Sequence, residues 1–184
     1  MAQAPVLYDF EIVLSHVDRG LDAKLDVRTA RHPSETLDRV WLRVLAFCFF
    51  YEERLSFGKG LSDPDSPDLE LRDLTGDLLL WVRAGKAEPS TVHKVVNQNG
   101  RARVAVFFES PQRMGAFVAA AQAEKLVKLA RAELYAIEPA LTAALAGRDE
   151  RRAKLSVTIV GDQFYLERGG KSVDGALTRG RVVA

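Results

Sequence analysis

The chain has 184 residues, of which 47% are hydrophobic and 28% charged, and a net charge of +1. That is enough for one globular domain over 1–184 with a sizeable core, and it excludes a disordered, collagen-like or strongly polyionic chain. A single cysteine, Cys48, excludes an internal disulfide and predicts a reducing, cytoplasmic setting. No apolar run approaches the roughly 18–20 residues of a bilayer span. Residues 1–10, MAQAPVLYDF, lack the regions of a signal peptide, so neither membrane insertion nor export is expected.

From the N-terminus, residues 5–14 and 21–30 alternate apolar and polar positions and predict two strands joined by a turn at Asp18-Arg19-Gly20. The clearest helix follows Pro33. Ser34 is the natural N-cap, Glu35 and Asp38 bias the first turn negative, and Leu37, Val40, Trp41, Val44, Leu45 and Cys48 recur at helical spacing. That spacing puts Cys48 on the core face, as packing rather than as a nucleophile. The helix is expected to run to about Glu53, with Gly58 and Gly60 closing the excursion.

Residues 69–84 read as a hairpin bending around Leu74-Thr75-Gly76. A helix opens near Ser90, residues 102–108 (ARVAVFF) are an apolar strand, and Pro111 opens a helix to about residue 130. LYAIE (134–138) is a further strand and Pro139 starts a short helix ending by Gly147. The tail, with 154–160, 163–167 and 171–183, reads as a β-hairpin plus one strand. This alternation predicts an α/β (α+β) fold, a mixed sheet with helices on its faces. Charge is uneven: residues 1–100 carry 12 Lys/Arg against 16 Asp/Glu (−4), and residues 101–184 carry 14 against 9 (+5). The second half is thus compatible with an acidic or nucleic-acid partner, or with helices bearing solvated charges.

Four segments together, ARHPSET (30–36), EERLSFGKGL (52–61), PDL (67–69) and LWVRAG (80–85), resemble the YaeQ family of small bacterial proteins. The resemblance is close from Val17 to about Glu109; beyond it only the order of elements matches. That family is similar to compact members of the PD-(D/E)xK nuclease-like superfamily. The implied fold is a compact mixed β-sheet flanked by helices, a restriction-endonuclease-like variant. The implied chemistry is Mg²⁺-dependent phosphodiester hydrolysis, in which carboxylate oxygens hold the metal and a lysine orients water. Asp68 matches the Pro-Asp position, Glu35 the helix acid, and Lys86 approximates the lysine, although it follows position 83 by three residues.

Position 83 departs from the family pattern: where an acid is expected, the chain has Arg83, and Gly85 removes a side chain nearby. A guanidinium about 4 Å from a metal would cost on the order of several kcal/mol even at an effective dielectric near 20. The resemblance therefore implies a vestigial catalytic site of Asp68, Glu35, Arg83 and Lys86. Asp68 and Glu35 are its metal ligands only if any metal binds: no cofactor is expected, or Mg²⁺ if the site is active. Arg83 is expected to pair bidentately with one of the two acids. Asp73, Asp77 and Glu88 are the remaining nearby acids that a shifted ligand set would need.

Each residue has a plainer role to weigh against this. Asp68 after Pro67 suits a turn cap, Glu35 suits a helix N-terminus, Asp73 suits a turn, and Lys86 and Lys94 suit solvent. His16, His32 and His93 have no ligand spacing, and Trp41 and Trp81 fall at core positions. Four readings stay open. The favoured one is a binding module that has lost hydrolysis and contacts nucleic acid or a protein partner. The others are a Mg²⁺-dependent nuclease with a shifted ligand set, an enzyme of another chemistry, and a protein-interaction factor. The sequence leaves open whether the protein is an enzyme.

Overall fold

The computed structural model describes residues 4–59 and 65–183. The first two strands, β1 (Val6–His16) and β2 (Leu21–Arg31), pair antiparallel from Val6↔Arg31 to His16↔Leu21. The reason is a period of two: Tyr8, Phe10, Ile12 and Leu14 are buried while Leu7, Glu11 and Val13 face solvent. A short 3-10 turn at Val17–Arg19 and Gly20 in the left-handed region join them, where the turn at Asp18-Arg19-Gly20 is expected.

Helix α1 (Leu37–Phe50) is shorter than expected and differently capped. Thr36 is the N-cap, its side chain accepting from Arg39 N at 3.3 Å, whereas Ser34 bonds the His32 ring. Every residue from Val40 to Phe50 is buried, so the expected single apolar stripe is only part of the story. The sheet curls around α1, which packs against β-strands from both halves and against α4 (Pro139–Ala146). A helix covered on all sides is apolar on all sides. Within it, the Trp41 and Phe10 rings lie 4.5 Å apart and Cys48 is fully enclosed.

A two-residue strand that the sequence did not announce, β3 (Ser56–Phe57), pairs with β4 (Leu69–Arg72), and β4 pairs with β5 (Leu78–Ala84). The stretch 61–68 falls partly outside the described residues, as does Gly60. Then come α2 (Pro89–Gln98), β6 (Arg103–Phe108), α3 (Pro111–Ala123), β7 (Glu133–Ile137), α4, β8 (Arg152–Val160), β9 (Gln163–Arg168) and β10 (Lys171–Gly180). The long helix expected from Pro111 to about 130 is two pieces. It stops at Ala123, Lys125 takes φ 54°, and a 3-10 helix follows at Val127–Arg131.

The strands form one ten-stranded mixed sheet in the order β2-β1-β8-β9-β10-β7-β6-β5-β4-β3. The β1–β8, β5–β6 and β6–β7 pairs are parallel and the others antiparallel. β10 joins the two halves, its first part pairing with β9 and its last residues with β7. One core lies between the concave face and α1; a second lies between the outer face of β5–β7 and helices α2 and α3. Covered on both faces, β6 reads RVAVFF with no alternation. Among the described residues no helix is long and apolar enough to cross a membrane.

Candidate functional site

The N-terminus of α1, the end of β2, the start of β4 and the end of β5 converge on one buried polar cluster. Asp68 enters it because three backbone bonds hold its segment: Asp68 N donates to Val82 O, Gly58 N donates to Asp68 O, and Ala84 N donates to its carboxylate Oδ2 at 2.8 Å. Gly58 is required there, since a Cβ would fall 2.0 Å from Pro67 O. Glu35 enters from the loop before α1 and is therefore not a first-turn dipole partner. Its backbone N–H donates to His32 O, and its Oε2 accepts from His32 N at 3.2 Å. Both carboxylates are buried, Asp68 at 0% exposure and Glu35 at 4%.

The residue that joins them is Arg39, in the first turn of α1. Its Nη1 donates to Glu35 Oε1 and its Nη2 to Asp68 Oδ1, both at 2.7 Å. Arg43, one turn further and also buried, donates from Nε to Glu35 Oε1 at 2.8 Å and from Nη2 to Glu35 Oε2 at 2.9 Å. Its remaining donors reach Thr29 Oγ1 and Ala30 O on β2, each at 2.8 Å. Neither arginine was singled out in the sequence. Their i+4 and i+8 spacing from Glu35 is the signal that carried the information.

The expected partner of the acids, Arg83, is in the cluster but not in the expected geometry. Its Nη1 lies 3.9 Å from Asp68 Oδ2, an ion pair without the bidentate fork, and its Cζ sits 5.5 Å from the centroid of the Trp81 ring. Arg39 and the Ala84 N–H make the closer contacts to the two oxygens of Asp68, at 2.7 and 2.8 Å. Gly85 takes φ +88°, a conformation that favours glycine, and lies beside Arg39, whose Nε would be in ordinary contact with a Cβ there at 3.5 Å. Lys86 is not part of the cluster. Its side chain is 87% exposed and its Nζ lies 3.5 Å from Glu88 Oε1.

The other acids near the hairpin are used elsewhere. Asp73 shapes the β4–β5 turn by accepting from Thr75 N, Thr75 Oγ1 and Asp77 N through Oδ1, and these bonds hold its carboxyl below the usual range. Lys94 faces Asp65 at 3.5 Å.

A divalent metal such as Mg²⁺ wants about six oxygen ligands in octahedral array. Here each of the four carboxylate oxygens of Glu35 and Asp68 already accepts a hydrogen bond from a guanidinium or a backbone N–H. Among the described residues no group of three or more His, Cys, Asp or Glu side chains is placed to hold a metal ion. Among the described residues, the donors around Glu35 and Asp68 do not fit Mg²⁺. What the arrangement does is link β2, α1, β4 and β5 through paired charges and hydrogen bonds, with the Arg39 side chain mostly buried.

The chain matches the family model described as "YaeQ protein" over residues 1–177. It is 29% identical over 180 residues to the protein YaeQ of Escherichia coli (strain K12), covering 97% of both chains, and 28% identical to that of Salmonella typhi over the same length. Among solved structures it is similar to the YaeQ protein from Xanthomonas axonopodis pv. citri, with a TM-score of 0.86 and 29% identity over 97% of this chain and 99% of that one. The YaeQ protein from Pseudomonas syringae gives a TM-score of 0.83 and 28% identity over 97% of each. On sequence and on fold alike, the chain belongs to the YaeQ family.

Proposed function

We propose that this chain is a cytoplasmic binding module on a restriction-endonuclease-like variant of the PD-(D/E)xK fold, with hydrolysis lost and contacts made to nucleic acid or to a protein partner. One observation carries the reading: the Arg39 guanidinium sits between Glu35 and Asp68, where a hydrolytic site of that superfamily would need a cation with open coordination positions. Arginine neutralises the two acids as a metal would, yet offers no Lewis acidity and activates no water. The pair is retained for its structural use.

The alternative, a Mg²⁺-dependent nuclease with a shifted ligand set, is separated by experiment. Calorimetric titration with Mg²⁺ and Mn²⁺ should give no saturable heat, and plasmid and single-stranded DNA should survive incubation with the protein. Metal-dependent cleavage that disappears in Asp68→Ala would overturn the proposal.

A further inference from the structure

We infer that the ridge formed by the C-terminal half of α2 and the 3-10 helix after α3 docks the phosphate backbone of a nucleic acid. This rests on the binding-module reading and names its partner, but it uses none of the Glu35–Asp68 cluster. Between Pro89 and Phe108 the chain has no acidic residue, and from Glu109 to Arg131 it has only Glu109 and Glu124. Over the same span Lys94, Arg101, Lys125, Lys128 and Arg131 are all exposed.

The fold gathers these bases. The 3-10 helix packs against α2, and Arg131 Nη2 donates to Gly100 O, so the Val127–Arg131 segment is tied to the turn that carries Arg101. Glu109 is paired with Arg113 at 3.4 Å, and Arg103 with Glu133 at 2.9 Å, which leaves Glu124 and the Lys94 partner Asp65 as the opposing charges. On the outer face of the sheet opposite charges alternate and pair, Arg28 with Asp9 and Lys154 with Glu11.

Lys125 adds an independent sign. It closes α3 at φ 54°, with Lys125 N bonded to Gln122 O and Leu126 N to Ala121 O. Glycine or asparagine is the usual choice in that conformation, so a lysine there keeps a charge at the expense of backbone ease.

The chemistry of the ridge selects the polymer. Exposed amides, Asn97 and Gln98, lie among the bases and suit phosphate and sugar contacts. A lipid surface would want a broad apolar face, but Leu126 and Leu129 turn into the core and only Val127, 56% exposed, faces out. The ridge has no exposed aromatic ring on which bases could stack, so binding is through the backbone and independent of sequence.

The test is fluorescence anisotropy of the full chain with labelled duplex and single-stranded DNA over a salt series without Mg²⁺. Engagement of all five bases predicts a slope of log K on log salt of about −4.5 for duplex. Arg101→Glu/Lys125→Glu/Lys128→Glu should weaken binding at least about 30-fold at low salt and flatten the slope by about 3. Lys24→Glu/Arg152→Glu/Lys171→Glu, an equal charge change away from the ridge, should stay close to wild type; circular dichroism confirms that both variants fold. Equal loss in both triple variants, or an unchanged slope in the first, overturns the ridge while leaving a nucleic-acid-binding module standing. No salt-dependent binding of either DNA overturns it outright, as does binding to anionic vesicles in its place. Binding that persists with Mg²⁺-dependent cutting would instead overturn the non-hydrolytic reading and leave the ridge intact.

Discussion

Arg39 and Asp68 are paired through Nη2 and Oδ1 at 2.7 Å, across the seam between the first turn of α1 and the start of β4, and the other arm of the same guanidinium holds Glu35 at an equal distance. The side chain that decides the character of the site therefore comes from the helix, not from the strand that carries Arg83.

That relationship sets the first prediction. Arg83→Glu alone should bind no Mg²⁺ or Mn²⁺ in calorimetry, because Arg39 still spans both acids. Arg39→Ala/Arg83→Glu should bind one or both ions, since it removes the bridging cation and adds an anionic ligand. Arg39→Ala by itself should lower stability by about 3–5 kcal/mol in urea unfolding, the usual cost of stripping a buried charge of its partner. Metal binding by the single Arg83→Glu variant would show that Arg39 moves aside.

Arg43 is the second. Its planar fork meets Glu35 on two oxygens while also reaching Thr29 and Ala30 on β2. Lysine keeps the charge but not the fork, so Arg43→Lys should cost about 2–4 kcal/mol by chemical denaturation. A loss under about 1 kcal/mol would mean that charge alone suffices.

His16 gives stability a pH dependence. It is 6% exposed at the end of β1, its ring 5.9 Å from that of Phe49 and tilted to it by 35°, and its Nδ1 has no partner among the described residues. Burial first, then the nearby Arg19 and Arg179, push its pKa below the usual 6.5, with Asp18 opposing. Above 6.5 both folded and unfolded chains hold a neutral ring; below it the unfolded chain takes the proton first, so stability falls with pH down to the depressed folded value. The urea midpoint should therefore drop between about pH 7 and pH 5, and His16→Phe should flatten that part of the curve. An unchanged slope in the variant would assign the effect to other groups.

Cys48 is enclosed and its thiol is pushed up to about 12 by burial. A disulfide-exchange reagent such as DTNB should leave the native protein unlabelled at mildly alkaline pH and react stoichiometrically once urea unfolds it. Rapid labelling of the native chain would mean that α1 is accessible.

Much of the fold was legible because it is local. Alternation along Tyr8–Leu14 marks a strand, and helical spacing of Trp41, Val44, Leu45 and Cys48 marks α1. Proline opens α2, α3 and α4. Boundaries set by one side-chain bond were less visible. Ser34, Glu35 and Thr36 all suit a helix start, and only the turn through His32 hands the cap to Thr36. The break at Lys125 was hidden because nothing in AAQAEKLVKL forbids a helix; burial of Leu129 at the end of β7's approach decides it.

The sequence by itself determined that Glu35 and Asp68 occur in a family pattern and that position 83 is basic. Which cation meets Asp68 was decided only by tertiary structure. Asp68 lies 29 residues from Arg39, and their contact exists because β4 is laid beside β5 while the sheet curls around α1. Gly85 is a permissive residue in the sequence; in the fold its φ of +88° is what calls for glycine beside the Arg39 side chain. Spacing along a chain determines which side chains share a helix face. Glu35 meets Arg39 and Arg43 within one segment, but the approach of Arg39 and Arg83 to Asp68 is settled by distance in space, which no single segment encodes.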